Sequence, residues 1–162
     1  MMNKKVLGLV LGVVVVVAII VACVCMLPKS SASKNIEGNL EDLMSKLYNG
    51  ILPDDMPELA TNPVTQENIE YYLGTSDIQY KEGLASEPLM SSIAHSVVLI
   101  RLNSADDANA VKEKIQNNVD PRKWICVEVE RQNVKVESIG DLVVLIMDNE
   151  LSDKILENFN NL

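Results

Sequence analysis

Histidine, cysteine and aromatic rings are all scarce in this chain. Its 162 residues include one His, three Cys, one Trp, one Phe and four Tyr. Cys23 and Cys25 lie in an apolar N-terminal run, which leaves Cys126 alone in the remainder. No disulfide can form within that remainder, so the chain does not read as a stapled secreted scaffold. One His and one Cys fall short of a structural zinc site, and no cofactor is expected. Glycine-rich phosphate loops, Ser–His–Asp sets and carboxylate pairs at diagnostic spacing are missing. Few rings and no polar cluster argue against a small-molecule catalytic pocket. Positive charge is short too. From Asn35 onward the chain has 23 acidic and ten basic residues. Nucleic acid is therefore not an expected partner, since phosphate binding needs a basic footprint. The acidic excess reads as solubility.

Hydrophobicity is plentiful at the N-terminus. After Lys4 and Lys5, residues 6–27 carry no charge. As a helix this run spans about 33 Å, enough to cross a bilayer. The two lysines orient it with the rest of the chain outside the cytoplasm. Two readings of residues 1–27 stay open: an uncleaved membrane anchor, or a lipoprotein signal. The second rests on Ile20-Val21-Ala22-Cys23, which resembles a lipobox and makes Cys23 the lipidation candidate. Residues 28–38 are small and polar and serve as a tether. Residues 39–162 are expected to form one extracytoplasmic domain, long enough for a core of its own.

Leu40, Leu43, Met44 and Leu47 mark an amphipathic helix capped by Asn39 and ended near Gly50. Residues 51–64, with three prolines, read as a loop without an EF-hand pattern, and so without expected metal. A second short helix is expected over 65–74, capped by Thr65 and stopped by Gly74. Residues 77–85 read as a strand, with Gly83 marking a bulge. They should pair antiparallel with a strand over 92–102. Ser104 then caps a helix over 105–118, with Ala108, Val111, Ile115 and Val119 as its stripe. Asp120-Pro121 stops that helix. Alternation of Ile125, Val127 and Val129 predicts a strand over 124–130, parallel to 92–102 through a right-handed crossover. A short strand over 134–137 follows. The run 142–147 (LVVLIM) is apolar at every position and suits a strand covered on both faces. Asp148-Asn149 caps a last helix whose stripe includes Leu151, Ile155 and Phe159. The expected fold is α+β: a single small domain with a mixed, mainly antiparallel sheet packed by helices.

Four stretches carry a family resemblance. They are ASEPLM at 85–90, SIAHSVVL at 92–99, DPRKWICV at 120–127 and IGDLV at 139–143. Together they resemble the bacterial family catalogued as domain of unknown function 4358. The resemblance implies a small exported protein, often with a lipoprotein-type signal. It implies no activity, cofactor or catalytic residue.

The reactive side chains are His95 and Cys126. A thiolate activated by an adjacent imidazole is the arrangement that nucleophilic catalysis requires. Carboxylates near Cys126, such as Glu128, would disfavour the thiolate, so a packed thiol and a hydrogen-bonded His are expected instead. Arg122 and Lys123, beside Trp124, form the other unusual cluster and are weak candidates for holding an anion or a ligand carboxylate. The expected function is a membrane-anchored binding module of the cell envelope, with a protein or envelope component as partner and no enzyme activity. The alternative is an envelope enzyme using His95 or Cys126.

Overall fold

The structure, a computed structural model, describes residues 35–162. The expected membrane segment, Cys23 and residues 28–34 of the tether lie outside the described residues. Among the described residues no helix is long and apolar enough to cross a membrane.

The elements in chain order are α1 (Leu40–Leu47), β1 (Leu59–Pro63), α2 (Ile69–Leu73), β2 (Tyr80–Pro88), β3 (His95–Leu102), α3 (Ala108–Asn118), β4 (Val134–Ile139), β5 (Leu142–Asp148) and α4 (Ser152–Asn160). The five strands form one sheet in the order β1-β2-β3-β5-β4. Every neighbouring pair is antiparallel.

The two central strands explain the layering. All eight positions of β3 and all seven of β5 are buried. Strands alternate their side chains, so continuous burial requires cover on both faces. On one face Leu84, Val97, Leu99, Leu142, Val144 and Ile146 meet Leu40, Leu43, Met44 and Leu47 of α1 and Ile155 and Phe159 of α4. On the other, Ala85, Val98, Ile100, Val143, Leu145 and Met147 meet α2, α3 and the stretch after α3 through Ile69, Leu73, Ile115, Trp124 and Val129. Each fully buried Leu, Ile or Phe contributes roughly 1.5–3 kcal/mol of transfer free energy.

The α1 stripe is as expected, and Asn39 Oδ1 accepts from the Asp42 N–H at 2.7 Å. Ser104 likewise accepts from the Asp106 N–H ahead of α3. Asp148 Oδ1 accepts the Glu150 and Leu151 N–H groups before α4.

Several expectations are corrected. The sheet is wholly antiparallel, not mixed. Residues 124–130 form no strand: Cys126 has φ +63, a left-handed backbone that breaks the extended path. Ile125 is exposed while Val129 is buried, so the alternation there did not mark one face. The strand that follows the α3 crossover is β4. It runs parallel to β3 but is separated from it by β5, antiparallel to both. The expected loop over 51–64 contains β1, an edge strand that tolerates Pro63 at its end. The second helix covers only 69–73, because Asn68, not Thr65, organises the preceding turn by accepting from the Thr65 N–H. The register shift in β2 falls between Tyr80 and Glu82. Gly83 instead admits Val64, whose Cβ would stand 2.8 Å from any Cβ added there.

Arg101 fixes where the domain begins. Its guanidinium donates to the carbonyls of Ile36 at 2.6 Å and Gly38 at 2.9 Å, and to Glu82 at 2.8 Å. Asn35 packs against Gly140 in the β4–β5 turn. The entry segment therefore lies at the Leu102 end of β3, opposite the end that carries His95.

Candidate functional site

Polar side chains gather at the His95 end of the sheet. β2 ends in Ser86 and Glu87, β3 begins with His95 and Ser96, and β5 ends in Asp148. All five are buried. Strand alternation sends Ser86, His95 and Asp148 to the α1/α4 face, and Glu87 and Ser96 to the α2/α3 face. Two networks thus stand back to back.

On the first face His95 Nδ1 lies 2.7 Å from Asp148 Oδ2, and His95 Nε2 lies 3.0 Å from the Tyr48 hydroxyl. Tyr48, just past the end of α1, also lies 3.0 Å from Ser86 Oγ. In a neutral ring, Nδ1–H donates to Asp148 and Nε2 accepts from Tyr48, which accepts from Ser86. A protonated ring reverses that order: Nε2–H donates to Tyr48, and Tyr48 donates to Ser86. Burial pushes the Asp148 carboxyl up, but the hydrogen bonds from His95, Leu151 and Glu150 outweigh it and hold it below its ordinary value. Burial drives the Tyr48 phenol well above its ordinary value.

On the second face Glu87 Oε1 accepts from Lys123 Nζ and from Ser96 Oγ, each at 2.5 Å. Lys123 Nζ also reaches Ser96 Oγ at 3.2 Å, and the Tyr71 hydroxyl donates to Glu87 Oε2. Three rings surround the ammonium group. Their centroids lie 4.5 Å (Tyr71), 5.3 Å (Tyr72) and 5.2 Å (Trp124) from Nζ. Burial lowers the Lys123 pKa, with Glu87 pulling the other way. Burial and then Glu87 push Tyr71 up to about 12.

The loops over this end form clefts rather than enclosed cavities. One, of about 390 Å³, is lined by Asp55, Ile93, Val127, Glu128, Asp148 and Glu150 among others. A second, of about 350 Å³, is lined by Arg122, Trp124, Cys126, Val127 and Glu128. Large apolar side chains remain in solvent nearby: Leu89 and Met90 at 59 % exposure and Ile125 at 64 %. The Ile125 N–H donates to the Ser91 carbonyl at 2.9 Å, which ties these two segments together.

The residues expected to carry chemistry are thus divided. His95 is fully buried, and both ring nitrogens are engaged by Tyr48 and Asp148, not by Cys126. Cys126 is exposed, a correction to the packed thiol expected, because the left-handed turn at that residue replaces a sheet position. Arg122 is solvated, 4.0 Å from Asp120, and shares a cleft with Trp124 and Cys126. Lys123 turns away from Arg122 into the interior. Tyr48, Ser86, Glu87, Ser96 and Asp148 were not singled out from the sequence. A partial signal was there: His95-Ser96 opens and Asp148 ends a strand whose other positions are almost all apolar, whereas Ser86-Glu87 lie in a strand that also carries Lys81 and Glu82. Among the described residues no group of three His, Cys, Asp or Glu side chains is placed to hold a metal ion.

No family model, curated protein or solved structure gives a significant match to the chain.

Proposed function

We propose that this chain is a membrane-anchored extracytoplasmic binding module of the cell envelope, not an enzyme. The observation that carries the reading is the pairing of Leu89 and Met90 with Ile125, large apolar side chains exposed on two linked segments at one end of the sheet. Apolar side chains grouped in solvent mark interaction surfaces more often than scattered ones do. They also lie at the end of the sheet opposite Asn35, the first described residue. The uncharged run at 6–27 behind Lys4 and Lys5 supports the membrane placement. So does the resemblance to a family of exported proteins. The buried networks serve this reading by fixing the loops, since their polar atoms are largely satisfied internally.

The test uses the full chain, solubilised in detergent, as bait for envelope extracts. A partner captured by the wild type should be lost with Leu89→Asp/Ile125→Asp and kept with Lys81→Ala, at the other end of β2. Capture that ignores the double substitution would overturn the reading. Mass spectrometry of the membrane-isolated chain separates the two anchors: residues 1–22 remain in one, and Cys23 becomes a lipid-bearing N-terminus in the other.

A further inference from the structure

We propose that Tyr71, Tyr72, Glu87 and Ser96 form a recognition site for an alkylammonium group, the side chain of a lysine or related diamino acid on the partner, and that Lys123 fills it as an internal stand-in. The proposal rests on the reading of this end of the sheet as the recognition surface. It adds the chemistry of the ligand.

The cage has the parts an ammonium receptor needs. Aromatic faces attract the cation, a carboxylate neutralises it, and a hydroxyl accepts one of its three N–H donors. Tyr71 and Tyr72 meet edge to face, with centroids 5.1 Å apart, so their placement is mutually fixed. Stability alone does not call for such a set, because a buried ion pair is often matched or bettered by packed apolar groups.

Receptor and occupant also differ in how they are held. Tyr71 and Tyr72 belong to α2, Glu87 to β2 and Ser96 to β3. Lys123 belongs to residues 119–130, which form neither helix nor strand. Two unfavourable features lie in the same segment as Lys123. Trp124 is 7 % exposed, yet its indole N–H is buried without an acceptor. Leaving such a donor unpaired is unfavourable. Cys126 holds a left-handed backbone at φ +63, which is unfavourable for a non-glycine residue. Only the Lys123 side chain need leave the cage, because the buried Trp124 and Val129 keep the backbone of the segment in place. A competing ammonium displaces it by binding the same cage with greater affinity.

The surroundings suit an incoming lysine. Tyr71, the outer wall of the cage, is 52 % exposed. Leu89 and Met90 come two and three residues after Glu87, and Ile125 two after Lys123, so exposed apolar side chains close in the chain to the cage are available to the methylene stem. The acidic excess of the domain favours approach of a cation.

Trp124, the one tryptophan of the chain, reports on the segment without labelling. The full chain is titrated with n-butylammonium chloride, with n-butanol as the neutral isostere and sodium chloride as the ionic control. A saturable change in Trp124 emission is expected for the amine alone. Lys123→Ala should tighten the dissociation constant about tenfold or more by vacating the cage. Tyr71→Ala should weaken it about tenfold in the wild-type background. No saturable response in the wild type, equal constants for wild type and Lys123→Ala, or an unchanged constant for Tyr71→Ala would each overturn the proposal. If Lys123→Ala does not fold, Tyr71→Ala decides alone. Partner capture that needs Leu89 and Ile125 but survives Tyr71→Ala would overturn the ammonium site and leave the binding reading standing. Capture indifferent to Leu89 and Ile125 would overturn that reading, and the titration would still judge the cage.

Discussion

His95 and Asp148 face each other on directly paired positions of β3 and β5, with Nδ1 and Oδ2 2.7 Å apart. The other oxygen of the same carboxylate holds the backbone entering α4. One side chain thus joins the central strands, the α1 terminus through His95 and Tyr48, and the last helix.

Asp148→Asn should therefore lower stability by about 1–3 kcal/mol at pH 7, the range for leaving buried partners unsatisfied. The Asp148 carboxyl sits below its ordinary value in the folded state. Its contribution is present above the unfolded value, about 4, and is lost as pH falls through the lower folded value. Urea midpoints of wild type and Asp148→Asn should separate at pH 7 and converge toward acid. Glu137, where burial is outweighed by Lys112, and Asp77, lowered by Lys114, titrate in the same window, so the difference between variants is the readout. A constant difference across that range would show that the ionised carboxylate is not what stabilises.

Glu87 and Lys123 should behave as a coupled pair. Glu87→Gln or Lys123→Met alone should cost about 3 kcal/mol, because either leaves a charged partner buried. The double substitution should recover much of that loss. Additive losses in urea denaturation, with coupling under about 0.5 kcal/mol, would refute the pairing.

Two glycines with nearly the same dihedral should respond differently to alanine. Gly50 has φ +76 with only a Lys154 side-chain atom at 4.0 Å from an added Cβ. Gly74 has φ +74, and an added Cβ would stand 2.2 Å from the Asn118 carbonyl oxygen. Gly50→Ala should cost about 1–2 kcal/mol, the left-handed penalty alone. Gly74→Ala should cost clearly more, since backbone at the end of α3 must move. Equal shifts in melting temperature would contradict this.

Arg101→Lys keeps the charge and loses the planar fork. Protease cleavage within residues 35–38 should then accelerate while cleavage elsewhere is unchanged. An unchanged pattern would mean that the entry segment is held by other contacts.

The layers of the fold were readable because burial leaves a periodic mark. LVVLIM at 142–147 predicted cover on both faces, and the stripes of α1 and α4 pointed to that cover. The stretch 124–130 misled because Ile125, Val127 and Val129 alternate as a strand would, while the dihedral at Cys126 leaves no trace in composition. β1 was hidden by Pro63 and by the two prolines ahead of it, although an edge strand can accept a proline at its end. The site was less legible. His95 was visible as the sole histidine, but its partners come from residues 48, 86 and 148, and only the strand order brings these together. Reading 124–130 as the neighbour of β3 made a Cys126–His95 contact geometrically possible, but β5 and its Asp148 occupy that place.

Covering both faces of β3 and β5 has a consequence for alignment. An apolar strand packed on both sides gains little from one register over the next, because slipping by one residue exchanges one greasy face for another. The polar ends remove that degeneracy. A one-residue slip of β3 would turn His95 toward Lys123 and Ser96 toward Asp148, so that each carboxylate would lose a partner it now holds. Ser86-Glu87 and His95-Ser96 therefore act together as an alignment key: the apolar middle of the sheet supplies adhesion, and its polar margin selects the one pairing in which both buried carboxylates keep their hydrogen-bond partners.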